Sequence, residues 1–349
     1  MIRSKKLIAT PPGATIKEQL SGRQMSQKEF AARMNMSEKH ISQLINGEVA
    51  LTPETAIKLE MVLGVPAKFW NNLEEIYRDR MLRIEAENTL QEDAQIAKKF
   101  PYKEMADLGW VPVTNTLNDK VTHLRKFFGV VSLSLITKER ITRIACRRLA
   151  VTEKSDLAFL AWAQEARIEA RDIPTESINT KKLISSVPKL REMTMQDPVV
   201  FSPRMKKMLA ECGIALVFLP HLTGSFLHGA TFIDGKKIVV GLTARGRDAD
   251  KFWFSLFHEF AYIVLGDLDM DSPITDAEEK KADKWAEDAL IDKEEYQRYV
   301  SEHDFSEKSV LRFAQETGIA PGIVVGRLQR EGLIKYSWLN ELKMKYEIG

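Results

Sequence analysis

Ser26-Gln-Lys-Glu-Phe-Ala-Ala-Arg-Met-Asn-Met-Ser-Glu-Lys-His-Ile-Ser-Gln-Leu-Ile-Asn-Gly47 is the stretch on which the reading of this chain turns. Ser26 followed three residues later by Glu29 predicts a capping box, each side chain taking the other's free backbone N–H. Phe30, Ala31 and Met34 then recur at helical spacing. Asn35 tolerates a left-handed turn and ends the helix. Ser37 caps a second helix that turns Ile41, Leu44 and Ile45 inward, and Asn46-Gly47 stops it. The outer side of that second helix carries Ser37, Glu38, Lys39, His40, Ser42, Gln43 and Asn46. Short polar side chains of this kind can read base edges in the major groove, and Gln can bond adenine through two hydrogen bonds. Gln27, at the start of the preceding helix, can hold a backbone phosphate. A plain helical bundle with a solvated polar face is the other reading. Charge does not decide between them, since residues 1–80 carry 12 Lys or Arg against 9 Asp or Glu.

Outward from this stretch the helices continue. Thr15 to Leu20 is a short helix before it. Thr52-Pro53 starts another after it, an N-cap followed by proline at the first helical position, and Gly64 ends that one. Pro66 opens a longer helix through Phe69, Trp70, Leu73, Ile76 and Tyr77, reaching about Lys99 before Pro101 stops it. Ala9-Thr-Pro-Pro-Gly-Ala-Thr-Ile-Lys-Glu-Gln-Leu20, Met25-Ser-Gln-Lys-Glu-Phe-Ala31, Ser37 to Gly47 and Val65-Pro-Ala-Lys-Phe-Trp-Asn-Asn-Leu-Glu74 together resemble the DNA-binding domain of HigA-type antitoxins, in the Xre/Cro-like helix-turn-helix superfamily. The resemblance spans residues from about 9 to 77. It implies a homodimer that binds double-stranded operator DNA, often its own promoter, and neutralises a cognate toxin protein. Dimers of this kind read half-sites about one helical turn apart.

The 349 residues suggest two or three domains. A hydrophobic fraction of 44% and a charged fraction of 29% exclude wholesale disorder, and a net charge of +2 argues against a chain that coats nucleic acid along its length. Two cysteines, Cys146 and Cys212, make no disulfide framework. No apolar run approaches a membrane span, and Met1-Ile-Arg-Ser-Lys-Lys6 leads no signal-peptide core, so a cytoplasmic protein without membrane contact is expected. The domains are expected at 1–80 (all-α helix-turn-helix), 81–212 (a helical linker and middle region) and 213–349 (α+β with a helical tail). Middle helices are expected near 116–128, 139–149, 156–171 and 178–195, with turns at Thr152-Glu-Lys-Ser155 and Pro174-Thr175. Ser202-Pro203 reads as a further helix start, closed at Cys212-Gly213. Strands are expected over 214–219, 227–233 and 237–242, the last two joined by the hairpin signal Asp234-Gly235. Helices follow near 248–264, 276–290, 307–316, 321–330 and 337–345. Lys138, Arg140, Arg143, Arg147 and Arg148 form a basic cluster, read as a solvated helix face or a contact for an anionic partner. No phosphate-binding glycine loop is present.

Trp253-Phe-Ser-Leu-Phe-His-Glu-Phe-Ala-Tyr-Ile-Val-Leu265 places His258 and Glu259 side by side on an apolar helix. A zinc peptidase sets two His four residues apart, with the intervening Glu as base on metal-bound water. Glu279, from a second helix, would be a third ligand, and Asp283 one turn on would orient His258. Position 262 is tyrosine, a poor zinc ligand at neutral pH. His228 or His221 could substitute, and a satisfied polar pair at His258 and Glu259 is the structural alternative. Gly213-Ile-Ala-Leu-Val-Phe-Leu-Pro220, His228-Gly-Ala-Thr231, Phe252 to Glu259 and Glu279-Lys-Lys-Ala-Asp-Lys-Trp-Ala286 resemble the ImmA/IrrE metallopeptidase family. That resemblance implies a zincin-like α+β fold with a small sheet, and zinc as the possible cofactor. His258 and Glu279 would hold it and Glu259 would be catalytic; Tyr262 stands where the family has its second His. The expected function is a sequence-specific, autorepressing DNA-binding regulator of a toxin–antitoxin module, with the metallopeptidase-like domain as sensor or partner-binding module. The alternative is a zinc-dependent endopeptidase that cleaves a regulator or partner.

Overall fold

The computed structural model describes residues 2–3, 8–136, 153–225, 229–243, 248–268 and 275–346. The expected 139–149 helix, the basic cluster from Lys138 to Arg148, Cys146 and His228 lie outside them. The chain divides into two compact units, Met1–Gln95 and Ile96–Gly349.

In the first unit, β1 (Ile2–Arg3) pairs antiparallel with β2 (Ile8–Ala9). Five helices follow: α1 (Pro12–Gly22), α2 (Gln27–Arg33), α3 (Glu38–Asn46), α4 (Pro53–Leu63) and α5 (Ala67–Ala97). Their starts obey the N-cap signals. Ser26, Ser37 and Thr52 each accept from the backbone N–H three residues on, at 3.1, 3.2 and 3.2 Å. Asn35, Gly47 and Gly64 turn the chain at positive φ. The capping box expected at Ser26 forms only half. The Glu29 carboxylate pairs instead with Arg33, one turn on, at 2.7 Å. Ile16, Phe30, Met34, Ile41, Leu59 and Trp70 close one core. Gly13 lets α1 press onto α3, because a Cβ there would stand 1.9 Å from the Ile45 carbonyl oxygen.

The second unit is built on a three-stranded sheet of order β3 (Ile214–Leu219), β5 (Lys237–Thr243), β4 (Gly229–Asp234). β3 runs parallel to β5, and β4 antiparallel to it through the Asp234-Gly235 turn. Nearly every strand residue is buried, as the continuous apolar runs require. α6 (Tyr102–Asp107) and α7 (Leu117–Phe128) precede it; neither α6 nor α13 (Lys293–Ser301) was expected. α8 (Glu153–Ala170) packs on β3 and β5, and α10 (Pro198–Ala210) on β3. Gly241 on β5 makes room for the Trp162 ring of α8. Of the helices expected in a separate region over 81–212, those from α6 onward fall within the second unit, and α8 and α10 pack directly on its sheet.

Three element expectations are corrected. Thr152-Glu-Lys-Ser155 was expected as a turn, yet helix α8 already begins at Glu153. Ser202-Pro203 does not start a helix: Asp197 caps α10 by accepting from the Val199 N–H at 2.8 Å, and Pro203 lies inside it. Residues 337–345 hold only a 3₁₀ turn at Asn340–Leu342, where Asn340 and the Tyr336 and Trp338 carbonyls converge on the buried Gln329 amide. α9 (Thr180–Glu192), α11 (Ala249–Leu265), α12 (Asp276–Leu290), α14 (Glu307–Thr317) and α15 (Pro321–Arg330) lie close to their expected spans. No described helix is long and apolar enough to cross a membrane.

Candidate functional site

Two constellations were expected to carry chemistry, and each unit holds one. In the first unit, α3 buries Ile41, Leu44 and Ile45 and turns its other face outward. Lys39, Ser42 and Asn46 are exposed, and His40 and Gln43 are half-buried. Positions 39, 42, 43 and 46 form one stripe along the helix, as spacings of three and four dictate. Ser37 is also exposed, and its hydroxyl oxygen accepts from the His40 N–H. Gln27 is exposed as the first residue of α2. A short polar stripe on a rigid, capped helix can enter a major groove, and the α2–α3 turn holds it in place.

In the second unit, α11 presents His258, Glu259 and Tyr262, all buried. α12 lies against α11 and supplies Glu279 and Asp283. His258 Nδ1 stands 2.9 Å from Asp283 Oδ1. His258 Nε2 lies 3.0 Å from the Tyr262 hydroxyl. That hydroxyl donates to Glu279 Oε1 at 2.5 Å. With its proton directed at Glu279 the phenol oxygen can only accept, so the contact with His258 is a hydrogen bond in the forms of the imidazole that carry hydrogen on Nε2. The second Glu279 oxygen is 3.6 Å from the same Nε2.

Glu259 faces the other way. Thr231 of β4 donates its hydroxyl to Glu259 Oε2 at 2.5 Å. Gly229, two residues earlier on the same face of the strand, has no side chain, and a Cβ there would stand 2.7 Å from Oε1. Burial pushes the Glu259 carboxyl up to about 7, and the Glu279 charge adds to this, while His258 and Thr231 pull it down. Glu259 and His258 border a cavity of about 650 Å³, which is walled by Phe254, Leu290, Ile291 and Ile323. Arg330 stacks over Phe254 at 4.0 Å and pairs with Glu287, and Lys343 paired with the buried Asp250 closes another wall. Tyr262, Glu279 and Asp283 do not line it. The sequence reading missed Thr231 as the partner of Glu259. Its one signal was the two-residue spacing from Gly229 in the hairpin strand.

Among the described residues, the side chains around His258 do not fit a zinc ion. A three-ligand site needs a vacant centre between His258, position 262 and Glu279. Here a phenol oxygen bridges the two groups that would coordinate. Among the described residues, no group of three or more His, Cys, Asp or Glu is arranged to hold a metal.

Comparison with known proteins bears on the first unit. Residues 16–70 match the helix-turn-helix family model HTH_3. The chain is 41% identical over 66 residues to the uncharacterized HTH-type transcriptional regulator YddM of Escherichia coli (strain K12), covering 19% of this chain and 70% of that protein. A solved structure of an addiction module antidote protein of a HigA family from Coxiella burnetii is 23% identical, with a TM-score of 0.23, over 25% of this chain and 95% of that one.

Proposed function

The chain belongs to the helix-turn-helix family of transcriptional regulators, and from that premise we propose that it is an operator-binding regulator of the antitoxin type. The observation that carries this reading is the exposed polar stripe of α3, held by caps at both ends over an intact core. Gln43, Asn46, Ser42, His40 and Lys39 read base edges. Ser37 belongs to the same base-reading face, and Gln27 contacts a backbone phosphate at the start of α2. The reading includes a homodimer on a palindromic operator at its own promoter, in the cytoplasm, with a toxin protein as partner. The quoted HigA-like segments support the toxin and the autorepression.

The second unit serves in this reading as a sensor or partner-binding module, rather than as the hydrolase that its ImmA/IrrE-like segments resemble. Its cavity is of a size that holds small ligands. The test is gel-shift titration of the full chain on its own upstream promoter fragment and on random duplex. Gln43→Ala is expected to weaken the promoter complex by about 1–3 kcal/mol, the worth of one bidentate base contact, and random binding little. Equal losses on both duplexes would make Gln43 a structural residue and sink the reading.

A further inference from the structure

The second unit contains three of the four side chains of a two-helix zinc motif, His258 and Glu259 on α11 and Glu279 on α12, and the fourth position is the informative one. Tyr262 stands one turn after His258 on α11, where a ligand would face the same centre. Its hydroxyl lies within hydrogen-bond distance of both remaining candidate ligands, 3.0 Å from His258 Nε2 and 2.5 Å from Glu279 Oε1. The ring is fully buried and meets the imidazole edge-on, with centroids 5.1 Å apart. Asp283 contacts the imidazole at Nδ1. We propose that the Tyr262 hydroxyl takes the place of a metal ion, turning a metal-site frame into a fixed hydrogen-bonded tie between α11 and α12.

The donor set supports this directly. A ligating imidazole offers a bare nitrogen lone pair to the ion. Here Nε2 faces, at 3.0 Å, a hydroxyl oxygen whose own proton points at Glu279, rather than an open centre. The phenol oxygen stands between His258 and Glu279, where a shared ion would have to sit. Removing that oxygen alone leaves two protein ligands, one short of the usual three. Replacing it with an imidazole completes His258, position 262 and Glu279, with Asp283 already placed behind His258. The inference stands apart from operator binding, since none of these residues lies in the first unit.

The experiment uses the full chain and three variants, Tyr262→His, Tyr262→Phe and His258→Ala, each titrated with cobalt(II) and then zinc(II). The wild type is expected to show no tetrahedral cobalt absorption. Tyr262→His is expected to bind one equivalent, more than about a hundred-fold tighter than wild type, since even an outer-shell partner shifts metal affinity 10–100-fold. Tyr262→Phe is expected to gain no comparable affinity and to unfold at a lower temperature. If Tyr262→His does not fold, histidine-labelled wild type read by nitrogen NMR decides the matter. His258 Nε2 is then expected to carry a hydrogen that equimolar zinc leaves in place. Stoichiometric metal in the wild type that is lost in His258→Ala overturns the proposal, as does a folded Tyr262→His chain that takes no metal.

Discussion

A single hydrogen atom can decide what a buried side chain costs, and Glu259 is the case here. Its unfolded carboxyl titrates near 4.5 and its folded one near 7. Between those values the folded chain holds a proton that the unfolded chain has released. Stability therefore falls as pH rises through that window, by up to about 3 kcal/mol, and stays reduced above it. Glu259→Gln keeps the shape and the acceptor for Thr231 but cannot ionise. It is expected to recover much of that loss at pH 8 and to change little at pH 4.5, read by urea unfolding at both. Gly13 is the opposite kind of residue, important for what it lacks. Gly13→Ala would drive a methyl into the Ile45 backbone. An expected cost of about 1–3 kcal/mol is that of overpacking. The shift it forces on α3 should weaken promoter binding, measured by gel shift.

At the scale of the element, ends matter more than middles. α12 opens with the complete capping box, Thr275 accepting from the Glu278 N–H and Glu278 answering at the Thr275 N–H. Thr275→Ala should cost about 1 kcal/mol, seen as a lower thermal midpoint. Elements of this kind were legible in the sequence where one local signal sufficed. Ser37 to Gly47, Thr52-Pro53 and the Asp234-Gly235 hairpin each announce themselves within a few residues. The misreadings share a cause, since the winning partner lay elsewhere. Glu29 met Arg33 instead of its own cap, and Asp197 outcompeted Ser202 for the start of α10. The 337–345 segment folds to satisfy Gln329 rather than as a helix. The rear constellation divides in the same way. His258, Glu259, Glu279 and Asp283 could be found from helical spacing. The Thr231 contact joins residues 28 apart in sequence, which no local pattern encodes.

For the whole molecule, two compact units imply two cooperative transitions. Phe30 belongs to the first core and Trp253 to the second. Phe30→Ala and Trp253→Ala should each cost about 3–5 kcal/mol. Calorimetry should place each loss in a different transition. Operator duplex should raise only the transition that Phe30→Ala lowers, because a ligand stabilises the unit it binds. A single transition moved equally by both substitutions would mean that the two units melt as one.

The tie at residue 262 also has a genetic side. Tyrosine and histidine codons differ by one transition at the first base, so the bridged form and a coordinating form are neighbours in mutational space. A lineage can cross between them in one step, without passing through a frameshift, an insertion or a rebuilt helix.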